Sequence, residues 1–356
     1  MDILHIGLGI RGRHWLEIVR DRKGVNSVGC VTSHAASRDW MGRHFPGVTC
    51  YEHLEEALQQ VTADAAIVAS QPAQHAVQTI AALEAGLAVM VEKPMAASLA
   101  EGVRMVVAAR RTSKPLMVAQ NYRYRRSEQA MRELVRDGKV GTVTHVSCID
   151  RRDEPVGERY RAGMDYVQVM EVGEHHFDDL RHVLDVNPIR LLAHCGQAPW
   201  SGYRHGATTE AFLEMESGIR VQYYGSLTAN RYEHELWIEG EYGALHMDSR
   251  RVWWRKRGAR FFLPLSMPKV QPGDAMRYPR AGTASLLDQL YAAVHDGATP
   301  ETHGEDNLWS LAMVEGVKVS DRDGQSIDMV EMFSQAGYEP ASSLPPLPPQ
   351  GQDTRS

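Results

Sequence analysis

The feature that most constrains this chain is the run Gly7-Leu8-Gly9-Ile10-Arg11-Gly12, because of where it falls. It ends the apolar strand pattern ILHIGLG and opens RGRHWLEIVRD, a helical pattern with Trp15, Ile18 and Val19 on one face. A GxGxxG is weak by itself and carries weight only between a strand and a helix. In that place the first glycine makes a tight turn and the second lets a pyrophosphate approach the backbone. The third lets helix and strand pack closely, with the phosphates on the helix N-terminus. Gly7, Gly9, Ile10, Arg11 and Gly12 are therefore candidate cofactor contacts.

The rest of the first third keeps the same rhythm. VNSVGCVT, DAAIVAS, AVMVEKP and PLMVAQ read as further strands, with QHAVQTIAALEAG and a stretch from about Leu99 to Arg111 as helices between them. Strands alternating with helices imply parallel pairing and right-handed crossovers, hence an α/β Rossmann domain with a doubly wound parallel sheet over residues 1–121. From Tyr122 the rhythm changes. A helix SEQAMRELVRDG, a strand TVTHVSCID and a helix near 169–182 are followed by a run of strand candidates from IRLLAHCG to RVWWRKRG. Two helices close the region, around Ala284–His295 and Asp306–Asp321. This predicts an α+β C-terminal domain, residues 122–340, with a large open, mainly antiparallel sheet. The proline-rich tail 341–356 reads as an extended or disordered terminus. A chain of 356 residues is the right length for two such domains.

Charge and cysteine usage narrow the setting. A net charge of −6 gives no global basic field for nucleic acid or an anionic membrane. The cation–aromatic mixture of Arg250–Gly258 alternates as a strand with a wet basic face, so no nucleic-acid partner is expected. No apolar run reaches the roughly 20 residues of a membrane span, and the N-terminus lacks a signal-peptide pattern. Four scattered cysteines read as reduced thiols, so a cytoplasmic protein is expected.

The second strand should end in an acid that holds the ribose of NAD. Here the chain reads VTSHAASRD: Ser33 and His34 stand where the acid is expected, with Arg38 beyond. A hydroxyl and a cation suit a 2′-phosphate, so NADP is favoured over NAD; the alternative is that Ser33 and His34 only start a helix. Ser70, Gln71, Pro72 and His75 of ASQPAQH, and Glu92-Lys93-Pro94, follow strand ends and so lie over the crevice where ligands bind in such sheets.

With these segments in place the chain resembles the glucose–fructose oxidoreductase / inositol dehydrogenase (Gfo/Idh/MocA) family. The resemblance runs through GLGIRG, ASQPAQH, AALEAGLAVMVEKP, QNYRY (Gln120–Tyr124), GKVGTV, IEGEYGAL and EDNLWSLAMVEGVKVSDRDGQSI. It implies that Lys93 lies beside the nicotinamide and the reacting oxygen, that Glu92 and Gln120 belong to the cofactor side, and that Asn121 and Arg123 lie near the substrate. It also implies an acid-x-x-x-His helix facing the nicotinamide. The matching residues are Glu171 and His175, with Glu171 where the family more often has aspartate. Spacing four puts this pair on one helical face. His175 is then the expected general base, and Lys93 would stabilise charge on the same oxygen.

The remaining polar groups of VMEVGEHHFDDLRH (Val169–His182) have plainer readings. Glu171, His175 and Asp178 could offer a carboxylate–His–carboxylate metal set, but a fourth ligand is not evident and nicotinamide chemistry needs no metal. No metal is expected. His176 reads as a packed histidine, and Asp179 and His182 as a solvated face. Arginines and histidines of RRDEPVGERYR and GYRHG could touch a polar substrate from loops. The expectation is an NAD(P)-dependent oxidoreductase acting on a secondary alcohol or ketone of a sugar, polyol or sugar derivative, as a homodimer or homotetramer. The alternative is a non-catalytic NAD(P)-binding sensor of the same fold.

Overall fold

The structure, a computed structural model, describes residues 1–154, 156, 159–248, 250–270, 274–275 and 279–340. The expected proline-rich tail 341–356 lies outside the described residues.

The first sheet is built from β1 (Asp2–Ile6), β2 (Asn26–Val31), β3 (Thr49–Tyr51), β4 (Ala65–Val68), β5 (Ala88–Val91) and β6 (Leu116–Val118). Five helices connect them: α1 (Ile10–Arg20), α2 (Ala35–His44), α3 (Leu54–Gln60), α4 (Pro72–Glu84) and α5 (Leu99–Thr112). The strand order is β3-β2-β1-β4-β5-β6, parallel throughout. The order reverses between β1 and β4, which opens a crevice at their carboxyl ends. The sequence reading passed over β3 and α3. The strand has three residues, and the helix buries only Ala57, so neither writes a clear apolar period.

After β6 come a 3-10 turn, Asn121–Tyr124, and α6 (Arg126–Arg136). The second sheet holds nine strands: β7 (Val143–Asp153), β8 (Pro188–Gly196), β9 (Thr208–Met215), β10 (Arg220–Ser226), β11 (Thr228–Gly240), β12 (Gly243–Asp248), β13 (Val252–Lys256), β14 (Leu263–Leu265) and β15 (Ile327–Asp328). Their order is β14-β13-β12-β11-β7-β10-β9-β8-β15, antiparallel except for the β10–β7 pair. The short α7 (Arg159–Ala162), a π-helical turn over Val169–Gly173 and α8 (Glu174–Leu184) lie between β7 and β8. Three more helices follow: α9 (Thr283–His295), α10 (Gly304–Asp323) and α11 (Met329–Gln335).

The two sheets are stitched together by late elements. Leu286, Leu287 and Leu290 of α9 share a core with Ile3 and Met90 of the first sheet and Trp15 of α1, although sequence order assigns α9 to the second domain. The Val118 N–H donates to the Thr302 carbonyl at 2.9 Å. Helix α8 packs between α6 and α10, and every one of its residues is buried. One row of the second sheet's outer face reads Leu192–Phe212–Gln222–Ser147–Trp237–His246–Trp253 across seven strands. Within that row Leu192 and Phe212 are 43% and 58% exposed.

Candidate active site

The glycine turn has the shape the motif demands. Gly7 sits at φ +93°, and a Cβ there would come within 2.6 Å of the Ser70 nitrogen. A Cβ on Gly12 would lie 2.0 Å from the Gly7 carbonyl oxygen, so the third glycine is needed for helix–strand contact. A Cβ on Gly9 would meet nothing within 4 Å. The backbone therefore opens to free space at the one position where a pyrophosphate must approach, above the N-terminus of α1. Ile10 is 62% exposed beside it.

Arg11, expected among the cofactor contacts, is turned toward Glu92 instead. Its Nε donates to Glu92 Oε1 at 2.5 Å and a terminal nitrogen donates to the Pro279 carbonyl at 2.9 Å. The indole N–H of Trp15 donates to the same Glu92 oxygen at 2.6 Å. Glu92 is thus an anchor that fixes the loop carrying Lys93, whose bond to Pro94 is cis. On the other side His75, buried, holds the Pro94 carbonyl through Nδ1 at 2.8 Å and contacts the Ser70 carbonyl at 3.2 Å. Ser70 bonds Gln78 through its hydroxyl, and Gln71 and Pro72 form the cap and first position of α4. These residues brace the two strand-end loops against each other over the crevice.

At the end of β2, Ser33 and His34 are exposed, and His34 caps α2. Arg38 donates to the Thr32 carbonyl at 3.0 Å and pairs with Glu52 at 3.4 Å. Glu52, from the overlooked segment after β3, was missed by sequence reasoning because it is distant in the chain. Its carboxylate shares the cation that a 2′-phosphate would need.

Lys93, Gln120, Glu174 and His175 converge. Gln120 has no exposed surface, and its amide N–H donates to Glu174 Oε1 at 3.2 Å. The amide oxygen then faces His175 Nδ1 at 3.0 Å, and an amide oxygen only accepts. His175 therefore carries its proton on Nδ1 and keeps a lone pair on Nε2. Burial, with the nearby charges of Lys93 and Arg125, pushes the His175 pKa well below the usual histidine range. Burial also raises Glu174 to about 8, so this acid holds its proton at neutral pH. Tyr122 stacks on His175 with ring centroids 4.0 Å apart and planes 5° from parallel. The Arg125 guanidinium lies 3.0 Å over the other face of Tyr122. Burial pushes the Tyr122 phenol up, but Arg125 and Arg152 outweigh it and hold its pKa below the ordinary value. Tyr122, Arg125 and Glu174 were not singled out from the sequence. The spacing of Tyr122 and Arg125 could have found two of them, since positions i and i+3 eclipse in a 3-10 turn.

Glu171 does not sit as spacing four implies. Residues 169–173 form a π-helical turn, bonded i→i+5, so the i,i+4 pairing of an α-helix does not hold across it. The Glu171 carboxylate pairs with Arg161 at 3.2 Å, and Arg161 also bonds Glu154 at 2.9 Å. What Glu171 gives the cluster is its carbonyl, which accepts from Lys93 Nζ at 2.7 Å.

Asn121 and Arg123, expected near the substrate, are engaged in the protein interior. Asn121 donates to the Ala281 carbonyl at 2.7 Å. Arg123, buried, makes two 2.6 Å bonds to Asp178 and a 2.5 Å bond to Asp306. Asp178 also accepts from Ser310 at 2.8 Å, so Glu171, His175 and Asp178 face different partners and do not form one ligand set. Asp179 and His182 are buried rather than solvated, because α6 and α10 cover the face on which they lie. His176 is packed as expected, bonded to the Tyr223 hydroxyl at 3.0 Å.

Comparisons with known proteins agree with this architecture. Residues 1–120 match the model of an oxidoreductase family with an NAD-binding Rossmann fold, GFO_IDH_MocA. Residues 129–246 match the GFO/IDH/MocA C-terminal domain. D-apiose dehydrogenase of Paraburkholderia graminis is 26% identical over 341 residues, 93% of this chain and 90% of that protein. Inositol 2-dehydrogenase 3 of Saccharopolyspora erythraea is 28% identical, covering 83% of this chain and 91% of the other. Among solved structures, an Agrobacterium radiobacter oxidoreductase in complex with NAD+, L-tartaric acid and magnesium superposes with a TM-score of 0.84 at 19% identity. That match covers 93% of this chain and 99% of the other. The dehydrogenase WlbA of Bordetella pertussis gives 0.77 at 20% identity, over 92% and 98% of the two chains.

Proposed function

The chain belongs to the GFO/IDH/MocA oxidoreductase family, and from that premise we propose that it oxidises or reduces a secondary alcohol/ketone carbon of a sugar, polyol or sugar derivative with NAD(P). The observation that carries the reading is the 3.0 Å contact between His175 Nδ1 and the Gln120 amide oxygen: that oxygen accepts the Nδ1–H, leaving the lone pair on Nε2 in the cluster that contains Lys93. The open Gly9 backbone above α1 fits a dinucleotide pyrophosphate. Bound nicotinamide supplies or accepts the hydride. In the oxidative direction His175 Nε2 takes the hydroxyl proton, and in reduction it returns it to the alkoxide. Lys93, held by the Glu171 carbonyl, offers its remaining N–H donors to the reacting oxygen. With the Glu171 carboxylate paired to Arg161, hydroxyl recognition falls to the Glu171–Arg161 pair as a unit.

NADP remains slightly favoured through Ser33, His34 and Arg38, tempered by Glu52 on Arg38. A homo-oligomer assembled through the outer face of the second sheet follows from its exposed Leu192 and Phe212. A cytoplasmic setting follows from four unbridged cysteines. Among the described residues no helix is long and apolar enough to cross a membrane.

The test is a screen of polyols and sugars with NAD+ and NADP+, repeated with Lys93→Ala and His175→Ala. Each variant should lose roughly 10²–10⁴-fold in kcat while still binding the dinucleotide. Full turnover by either variant would refute its assigned role. Dinucleotide binding without turnover on any polyol or sugar would support the sensor reading instead.

A further inference from the structure

Behind the catalytic histidine lies a second cluster that the proposed reaction does not use. Asp150 of β7, His176 of α8 and His234 of β11 each offer one ligand atom, and these atoms all lie within 4.8 Å of one another. All three residues are buried, with 0%, 1% and 6% of their surface exposed. Asp150 Oδ1 is 3.5 Å from His176 Nε2 and 3.3 Å from His234 Nδ1. Neither of those two nitrogens has a hydrogen-bond partner among the described residues.

The separations discriminate between a proton and a cation at the centre. Charge-assisted N–H···O bonds close to about 2.7–2.9 Å. Donor atoms sharing a tetrahedral zinc, each about 2.05 Å from the ion, stand about 3.4 Å apart. The two measured edges match the second figure. The surroundings also match what ligating groups normally have. The other ring nitrogen of His176 is held by the Tyr223 hydroxyl at 3.0 Å, and Tyr223 in turn accepts from Gln168 at 2.8 Å. Arg152 bonds both oxygens of the Asp150 carboxylate, Oδ2 through Nε at 2.7 Å and Oδ1 more weakly through a terminal nitrogen at 3.4 Å, which fixes its orientation. Arg152 is itself shared with Glu154 at 3.3 Å, so its charge is divided between two carboxylates.

We propose that Asp150, His176 and His234 bind a zinc ion that clamps helix α8 to strands β7 and β11, with water as the fourth ligand. Two imidazoles and a carboxylate are a donor set suited to zinc. The ion would sit outside the hydride-transfer cleft, next in sequence to His175, and would fix the orientation of the helix carrying it. This inference stands apart from the proposed reaction: zinc could be bound whether or not Lys93 and His175 turn over a sugar.

Untagged protein is incubated with zinc sulfate, desalted and assayed by elemental analysis beside His234→Ala. The wild type should retain about one zinc per chain and the variant at least tenfold less, with dinucleotide binding preserved in both. Should the variant fail to fold, cobalt(II) loaded into the wild type decides. Intense tetrahedral d–d bands that excess zinc abolishes would support the site, and weak octahedral bands identical to free cobalt would overturn it. Zinc retained equally by wild type and His234→Ala, or by neither, would also overturn it.

Discussion

At the scale of single residues, the three glycines of the phosphate turn separate into different kinds of necessity. A methyl group at Gly12 collides with the Gly7 carbonyl, whereas at Gly9 it points into free space. Gly12→Ala should therefore lower the melting temperature and abolish dinucleotide binding together. Gly9→Ala should leave the fold intact and weaken binding by about tenfold or more, near 1.4 kcal/mol, a difference that calorimetry and thermal unfolding read side by side. His175 gives a pH prediction. Its pKa is lowered, so it stays neutral and competent as a base well below the ordinary histidine range. The kcat/KM for alcohol oxidation should then hold as the pH falls through 6.5. Arg125→Gln, which removes one of the charges that depress it, should move the acid limb to higher pH. Glu174 works in the opposite sense. Unfolded, it ionises near 4.5; folded, it keeps its proton to about 8. The unfolded chain therefore releases its proton first, and stability falls as the pH rises through that interval. Glu174→Gln should remove the decline and stabilise the protein at pH 7 by on the order of 3 kcal/mol, measured by denaturant unfolding at pH 5 and pH 8.

At the scale of elements, the buried pairs joining the 3-10 turn Asn121–Tyr124, α8 and α10 decide what Arg123 does. Arg123 binds Asp178 and Asp306, and Arg181 binds Asp306 from the other side at 2.6 Å. Truncating one partner strands a buried charge, so Arg123→Ala should cost about 3–5 kcal/mol of stability. The KM of the surviving enzyme should change little, which distinguishes this role from the substrate contact that the NYR resemblance implied. The glycine turn and the strand–helix alternation were legible in the sequence because they rest on local requirements: backbone room at Gly12, and periodicity in α4 or β5. Helix α8 was legible as a helix, but the burial of Asp179 and His182 was not. Their covering comes from α6 and α10, which the chain brings in from about 50 residues before and 120 residues after. Tyr122 was overlooked because its role arises from stacking on a histidine in a different element, and no local pattern marks such a pair.

At the scale of the whole molecule, the outer row Leu192–Phe212–Gln222–Ser147–Trp237–His246–Trp253 is exposed at its Leu192–Phe212 end, while Phe262 packs against Trp237 and His246. Trp237 and His246 stack at 3.7 Å, and His246 and Trp253 at 5.0 Å, so part of the row is rigid. An exposed sheet face carrying aromatic side chains suits isologous pairing with a second copy. Phe212→Glu, which places charge where the row is most exposed, should shift the protein toward monomers in light scattering at micromolar concentration. Leaving the cleft untouched, it should preserve dinucleotide affinity, so assembly and cofactor binding are separable in one preparation.

The π-helical turn at Val169–Gly173 changes what counting along the chain means. A π turn is, in effect, an α-helix that has absorbed an insertion of one residue. Deleting a residue there would let the α-helical ladder close, and everything on its N-terminal side would swing by about 100° around the axis. The acid before His175 is therefore not placed by its distance in sequence. In homologues with and without the insertion, residues aligned to Glu171 would occupy different sides of the cleft, and substrate preference could drift through an indel with no exchange of side chains.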